Sequence, residues 1–573
     1  MSILADSLFE AYKWLTPYEM VLCAIDLFLL GWYAFPARRP YRWVDFVPSA
    51  GVLVSALSLL CGDTTLPALI LYGLSGLLFL LTAKRIWAPK RHAPLPKRKR
   101  LRAIVRAASC LAALSPIVLA LLLAGELRYN PASDFRELSY SEAFVRLNER
   151  LSREYPFGDR KKVDWEALER KYTPIFQEAE RKLDKELYYK ALREYLFSFR
   201  DGHVKIVNEA LYEDNPVFKR ESGGGFGISA VLLDNGQVRV GLLLKGSPAE
   251  RSGMALGDEI VDWNGRPALD AYRSAAWSEN PTATDGDRRM NQGRFMTRSA
   301  VGSWVEVEYR SRANNELRKA TLKAYEDDYA TLKVTKAKLK RTDAPIEGRV
   351  LDNGYGYIQI RYFLPNDAVP DPAGFFAGIV NDFQNRSVKG LIVDVRDNPG
   401  GDDDVTAAIA GYLSAWKRHY ESVSYYSRTT GQFEVNAGET RIITPKESGY
   451  KGKVAILVNH NTASSAEGLP LVLKGQPRTV IVGFTSTNGS FGVMSRPIEA
   501  KMPEDYLLRF PDGRSLDAHY AVQGDSDGQG RGGALPDIQV PLNEETFAAK
   551  YIEGQDVELQ AAIEALEKMS FAK

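Results

Sequence analysis

The sequence predicts a multi-domain protein: a four-helix transmembrane region, a helical segment, a β-rich module and an α/β core. Three observations carry this. The first 125 or so residues hold four apolar runs, the stretch from about 219 breaks into short β runs between turns, and the final part alternates apolar strands with helices. The expected boundaries are 1–126, 127–218, 219–326 and 340–570. A chain of 573 residues has room for several such units.

The apolar runs span roughly 18–35, 44–62, 66–83 and 104–124. Each is close to the ~20 residues that a helix needs to cross ~30 Å of hydrocarbon. The second and third are joined by Gly62-Asp63-Thr64-Thr65, which predicts a helical hairpin. The first run lacks a basic leader and three more follow, so a cleaved signal peptide is a poor alternative. Arg38, Arg39 and Arg42 follow the first run, and Lys84, Arg85, Lys90, Arg91, Lys97, Arg98, Lys99, Arg100 and Arg102 follow the third. The positive-inside rule puts both basic loops in the cytoplasm and everything after residue 124 on the outer side. Asp26 interrupts the first run; it reads either as an acid at a helix–helix contact or as a functional group at membrane depth. The run Lys97–Arg100 sets topology or touches anionic lipid, so the bilayer is an expected partner.

Composition excludes other classes. Lys+Arg 74 against Asp+Glu 72 leaves a formal charge of +2, which gives no sign of a nucleic-acid binder. Three cysteines, all in apolar runs, build no disulfide framework.

Residues 136–200 carry Leu, Phe and Tyr at helical spacing among Glu, Lys and Arg, and end at Arg200-Asp201-Gly202-His203, where Asp-Gly breaks the helix. "HVKIV" then reads as a short strand. In the β-rich part, Asp234-Asn235-Gly236 is a hairpin signal. Gly225-Phe226-Gly227-Ile228 offers successive backbone N–H groups as a nest for a carboxylate. These residues, with Gly246-Ser247-Pro248-Ala249, Gly257-Asp258-Glu259-Ile260 and Asn264-Gly265, resemble a PDZ domain. The resemblance implies capture of a peptide C-terminus by strand addition at a sheet edge, with Gly225, Phe226, Gly227 and Ile228 binding substrate.

In the core, Asn459-His460-Asn461-Thr462-Ala463-Ser464-Ser465-Ala466-Glu467 follows the strand "VAILV" and leads into an apolar helix. A serine at such a turn exposes its hydroxyl beside unpaired helix N-terminal N–H groups, which suit a developing oxyanion. Ser464-x-x-Glu467 is equally a capping box, and the turn alone leaves both readings open.

The order of helical segment, PDZ-like module and α/β core resembles the C-terminal processing (tail-specific) serine proteases over nearly all of 136–545. "GLIVDVRDNPGG" (390–401), "NTASSAEG" and Pro536-Asp537-Ile538 carry that resemblance. It implies a crotonase/ClpP-like core, Ser464 as nucleophile, and an oxyanion hole from the amides of Ser465 and of Gly400 or Gly401. One branch of that family takes its base from a lysine downstream of the serine. Here Asn488, Gly489 and Ser490 stand at that place, and no lysine occurs from Gln476 to Ala500. The other branch, similar to tricorn, uses a histidine ahead of the PDZ-like module, and His203 matches it. A histidine titrates near neutrality, as a general base requires. An orienting group is expected near 525–529: Gln529 sits nearest the family's position, with Asp527 or Asp525 as alternatives. An Asp-rich turn there invites calcium, but no bidentate glutamate follows, so no metal and no cofactor is expected.

The resulting expectation is a membrane-anchored serine endopeptidase on the periplasmic side of a bacterial inner membrane, cleaving protein substrates near free C-termini. The alternatives are a catalytically silent scaffold of the same fold and a membrane sensor.

Overall fold

The computed structural model describes residues 22–29, 47–60, 66–87, 133–207, 215–336, 339–340, 342–428 and 430–569. The chain divides into two compact units, Met1–Tyr129 and Asn130–Lys573.

In the first unit residues 22–29 are helical, followed by α1 (Val47–Leu60) and α2 (Leu66–Trp87). α1 and α2 pack together, and Gly51 allows the close approach: a Cβ there would lie 3.3 Å from the Ser75 hydroxyl. Ser75 donates to Asp26 at 2.9 Å, both buried, so the acid in the first apolar run has a polar partner. Leu22, Leu29 and Leu78 are buried within the unit. No helix among the described residues is long and apolar enough to cross a membrane. The expected four-helix transmembrane region is thereby corrected. α1 shows one reason: its 14 residues, at ~1.5 Å each, reach about 21 Å against ~30 Å of hydrocarbon. The run at 104–124 and the flanks of that at 18–35 lie outside the described residues, and no span among the described ones sets an orientation for the basic loops.

The second unit begins with α3 (Tyr140–Glu154), α4 (Trp165–Lys182) and α5 (Lys185–Ser198). Ser139, Asp164 and Asp184 each accept from the amide three residues on, satisfying an N–H that has no carbonyl within the helix. Phe144, Leu147 and Leu151 line one face of α3 and join Tyr172, Phe176, Tyr195 and Phe199 in an aromatic core. Ile498, Ala500, Leu508 and Phe510 complete that core. They belong to strands Ile498–Lys501 and Leu507–Phe510, the second of which also pairs with the short strand Lys205–Ile206. That pairing pins Asp201-Gly202-His203, just ahead of it, against the C-terminal part of the chain.

Five antiparallel strands follow, in the order β1 (Ile228–Leu232), β2 (Val238–Leu243), β3 (Glu259–Trp263), β4 (Trp304–Arg310) and β5 (Leu317–Lys323). The β1–β2 hairpin turns at Asp234-Asn235-Gly236, where Gly236 takes φ +89°. Helix α6 (Asp285–Phe295) lies along β1, the edge strand.

The core is one six-stranded sheet whose spatial order is the chain order: β6 (Ile346–Val350), β7 (Gly356–Ile360), β8 (Leu391–Asp394), β9 (Val454–Leu457), β10 (Thr479–Gly483) and β11 (Ile538–Gln539). β6 and β7 are antiparallel; the remaining pairs are parallel. Alternation along the strands divides the sheet's two faces. Ile358, Val393, Ile456 and Ile481 meet α7 (Pro372–Asn385), α8 (Asp403–Leu413) and α9 (Ser465–Leu473). Tyr357, Ile392, Ala455 and Val480 meet α10 (Val557–Lys568). Both faces are buried, so these strands read as continuous apolar runs. In such sheets sites form at the carboxyl ends of the strands, and there the loops after β8, β9 and β10 converge.

Candidate active site

The turn from β9 into α9 places Ser464 at φ +56°, ψ −136°, immediately ahead of the first helical residue. A side chain other than glycine there costs on the order of 1–3 kcal/mol and persists only where the surroundings enforce it. They do: Thr462 Oγ1 donates to the Val395 carbonyl at 2.7 Å, the Ala463 amide to the Asn398 carbonyl at 2.9 Å, and the Ser464 amide to the Ser490 carbonyl at 2.9 Å. The Ser464 hydroxyl makes no capping bond to α9. Without that bond there is no full capping box, although the Ser464 amide is among the donors that act on the Glu467 carboxyl. This buried carboxylate accepts from the Ser490 amide at 2.7 Å, the Gly489 amide at 2.9 Å and the Thr487 hydroxyl. Burial pushes this group up to about 7 against the pull of those donors.

The loop after β8 lies across the turn. Gly400 takes φ +105°, and a Cβ there would sit 2.6 Å from Ser464 Cβ and 3.0 Å from the Ser465 amide nitrogen. Of the predicted oxyanion donors, the Gly400 amide is already bonded to Asn398 Oδ1 at 2.9 Å. The Gly401 amide and the Ser465 amide, the first of α9, are therefore the pair to consider. The Ser465 hydroxyl donates to the Gly401 carbonyl at 3.1 Å and fixes one against the other.

His203 comes from the turn after α5. Its amide donates to Asp201 Oδ1 at 2.9 Å, while the Tyr155 hydroxyl donates to Asp201 Oδ2 at 2.7 Å. Burial pushes the imidazole down to about 4, helped by Lys205 and Lys161 and opposed by Asp201, so it is neutral at neutral pH. Its Nδ1 is buried without a hydrogen-bond partner. The adjacent Gly202 amide donates to the Ser490 hydroxyl at 2.9 Å, so the base turn and the nucleophile turn meet at one residue.

The expected orienting residues fall differently. Gln529 is exposed, and only its backbone amide is engaged, at 2.8 Å from Asp527 Oδ1. Asp527 closes a tight turn with the Gln529 and Arg531 amides and pairs with the Arg531 guanidinium at 2.8 Å; these bonds outweigh desolvation and hold it down at about 2. Asp525 is fully buried with both carboxyl oxygens unpartnered, and burial pushes it well above the usual carboxylate range, with Asp201 adding to the shift. Lys161 is a residue that the sequence did not single out. Its buried ammonium donates to the Arg200 carbonyl at 2.9 Å, the Ser526 carbonyl at 3.0 Å and the Ser526 hydroxyl at 2.8 Å. It thus ties the 525–526 segment to the base turn. No sequence signal marks it, because one lysine on a charged helical segment is unremarked until its partners are known.

The residues of the expected carboxylate nest are buried, and Phe226 also lines a cleft of about 360 Å³. Gly225 pairs with Tyr325 and Arg298, Phe226 is buried edge-on to Trp263, and the Phe226 and Gly227 carbonyls accept from Ala249 and Leu244. The outer edge of β1 is covered by α6 and the residues after it: Thr297 Oγ1 donates to the Ile228 carbonyl at 2.7 Å and Arg289 Nε to the Leu232 carbonyl at 3.2 Å. His460 Nδ1 lies 3.1 Å from Asp287 on α6. A cleft of about 380 Å³ opens beside Arg200, walled by Phe197, Trp277 and Arg288.

A strained serine at a strand-to-helix turn, glycines packed against it and a neutral, half-buried histidine define the class of site found in serine-nucleophile enzymes. Residues 354–540 match the model of Peptidase family S41. The chain is 23% identical over 326 residues to the carboxy-terminal processing protease CtpB of Bacillus subtilis, covering 56% of this chain and 58% of that one. It is 24% identical over 315 residues to the chloroplastic carboxyl-terminal-processing peptidase 3 of Arabidopsis thaliana, covering 53% and 52%. The chain thus spans little more than half the length of these curated relatives. Among solved structures, mature CPAF complexed with lactacystin shares the fold, with a TM-score of 0.54 and 15% identity over 75% of this chain and 99% of that one.

Proposed function

We propose that this protein is a serine endopeptidase that cleaves protein substrates at or near their C-termini. Ser464 attacks the scissile carbonyl, His203 takes its proton and returns it to the leaving amine, and the Gly401 and Ser465 amides receive the oxyanion. The observation that carries this reading is the backbone of Ser464, held at φ +56° with its hydroxyl making no cap bond. A catalytically silent scaffold would have no use for that strain. Asp525 is better placed to support the base turn than Asp527 or Gln529, since it is fully buried next to Ser526, which Lys161 ties to the Arg200 carbonyl ahead of His203. The C-terminal preference rests on the names of the similar proteases and on the PDZ-like sequence of 219–326. With β1 covered by α6, binding of a peptide by strand addition requires α6 to move aside. The test is digestion of two unstructured peptides that differ only in a free or amidated C-terminus. Wild type cleaves the free acid faster and Ser464→Ala cleaves neither. Cleavage by Ser464→Ala at the wild-type rate would refute the assignment.

A further inference from the structure

Ser490 touches both halves of the site, through different atoms. Its carbonyl accepts from the Ser464 amide at 2.9 Å, and its hydroxyl oxygen accepts from the Gly202 amide, next to His203, also at 2.9 Å. The hydroxyl hydrogen has its own acceptor, Asn488 Oδ1 at 2.8 Å, so a lone pair is aimed at Gly202. Asn488 is itself anchored on the nucleophile turn: its amide donates to the Thr462 carbonyl at 2.8 Å and its Nδ2 to the His460 carbonyl at 3.0 Å. From the other side Glu467, on the nucleophile helix, accepts from the Gly489 and Ser490 amides. Ser490 is therefore bonded directly to the nucleophile element through its carbonyl and its amide, and its neighbours Asn488 and Gly489 add three more bonds to that element. Its hydroxyl reaches across to the element that carries the base. The fit leaves no slack. Ser490 is 1% exposed, and a Cβ on Gly202 would come 2.6 Å from Asn488 Oδ1 and 2.8 Å from the Ser490 hydroxyl.

We propose that Ser490 is a positioning residue whose hydroxyl sets the His203 turn at its working distance from Ser464. It touches neither substrate nor the transferred proton. This rests on the reading of Ser464 and His203 as nucleophile and base. Deleting the hydroxyl while keeping the carbonyl leaves the Ser464 turn bonded and frees only the base turn. A histidine displaced by about an ångström loses on the order of 10²-fold in rate.

The test is the rate of labelling of the full chain by a fluorophosphonate probe, resolved into maximal rate and half-saturating concentration, with melting temperature measured alongside. Ser490→Ala is expected to lower the maximal rate by about 10- to 100-fold with the half-saturating concentration and melting temperature little changed. The isosteric pair Ser490→Thr and Ser490→Val separates hydroxyl from bulk: Thr labels at least tenfold faster than Val, by the same 10²-fold scale. Equal rates for Thr and Val, or a loss in Ser490→Ala matched by a fall in folded protein, would overturn the proposal. Ser464→Ala separates the two levels. Wild-type labelling in that variant defeats the underlying assignment, whereas no labelling there beside wild-type labelling in Ser490→Ala defeats the role of Ser490 alone.

Discussion

Gly400 presses on Ser464 so closely that a Cβ at 400 would lie 2.6 Å from the serine's Cβ, at a φ of +105° that a side chain also disfavours. The glycine holds the serine turn from above while Ser490 holds it from the side. Gly400→Ala is expected to push the two loops apart, reducing probe labelling by about 10²-fold and lowering the melting temperature. Labelling kinetics and calorimetry on the purified chain check both.

Relieving the strain at the serine itself has the opposite effect on stability. Ser464→Gly removes the side chain that makes φ +56° unfavourable, and a net gain of about 1 kcal/mol is expected after the extra unfolded-state freedom of glycine is counted. Activity is abolished. Denaturant unfolding reads the gain, and Ser464→Ala, which keeps the Cβ, is expected not to show it.

Glu467 gives the site a pH dependence. Its surroundings donate three hydrogen bonds, which suits a carboxylate, yet burial raises it to about 7. A group whose folded pKa lies above its unfolded value lends stability that is full below the unfolded value and is lost as pH rises through the folded one. Stability from this group is therefore expected to fall between about pH 4.5 and 7, while labelling rises across about pH 7 as the 487–490 loop regains its acceptor. Glu467→Gln, followed by melting and labelling against pH, is expected to flatten both trends. His203, at about 4, contributes no limb near neutrality.

The third member is decided by comparison. Asp525→Asn is expected to slow labelling by about 10-fold or more, the scale on which groups orienting a catalytic histidine act, whereas Asp527→Ala and Gln529→Ala retain wild-type rates. Asp527 holds its own turn and Gln529 points to solvent. Parallel labelling assays of the three variants settle the order.

What the sequence showed and what it hid follow from how far each cause reaches along the chain. The β9–turn–α9 unit was legible because "VAILV" and Ser464 lie within ten residues, and both faces of the sheet demand apolar runs. The partners of Glu467 lie more than a full turn-and-strand away, at 487–490, so its local appearance as a helix cap misled. Gln529 sits nearest the family's position along the chain, but in the fold it is exposed beyond the Asp527–Arg531 turn, while Asp525 is the buried carboxyl. The transmembrane expectation failed for a different reason. Hydropathy marked the apolar runs but not the length of the helices they form, and among the described residues no helix is long and apolar enough to cross a membrane, α1 having 14 residues.

The most direct measurement maps the fluorophosphonate adduct on the intact chain by peptide mass spectrometry, in wild type, Ser464→Ala and His203→Ala. The adduct is expected on Ser464 in wild type, absent in Ser464→Ala, and formed at least 10²-fold more slowly in His203→Ala, as the loss of a general base requires. Wild-type protein that is folded and takes no label at Ser464, or His203→Ala that labels as fast as wild type, would contradict the account.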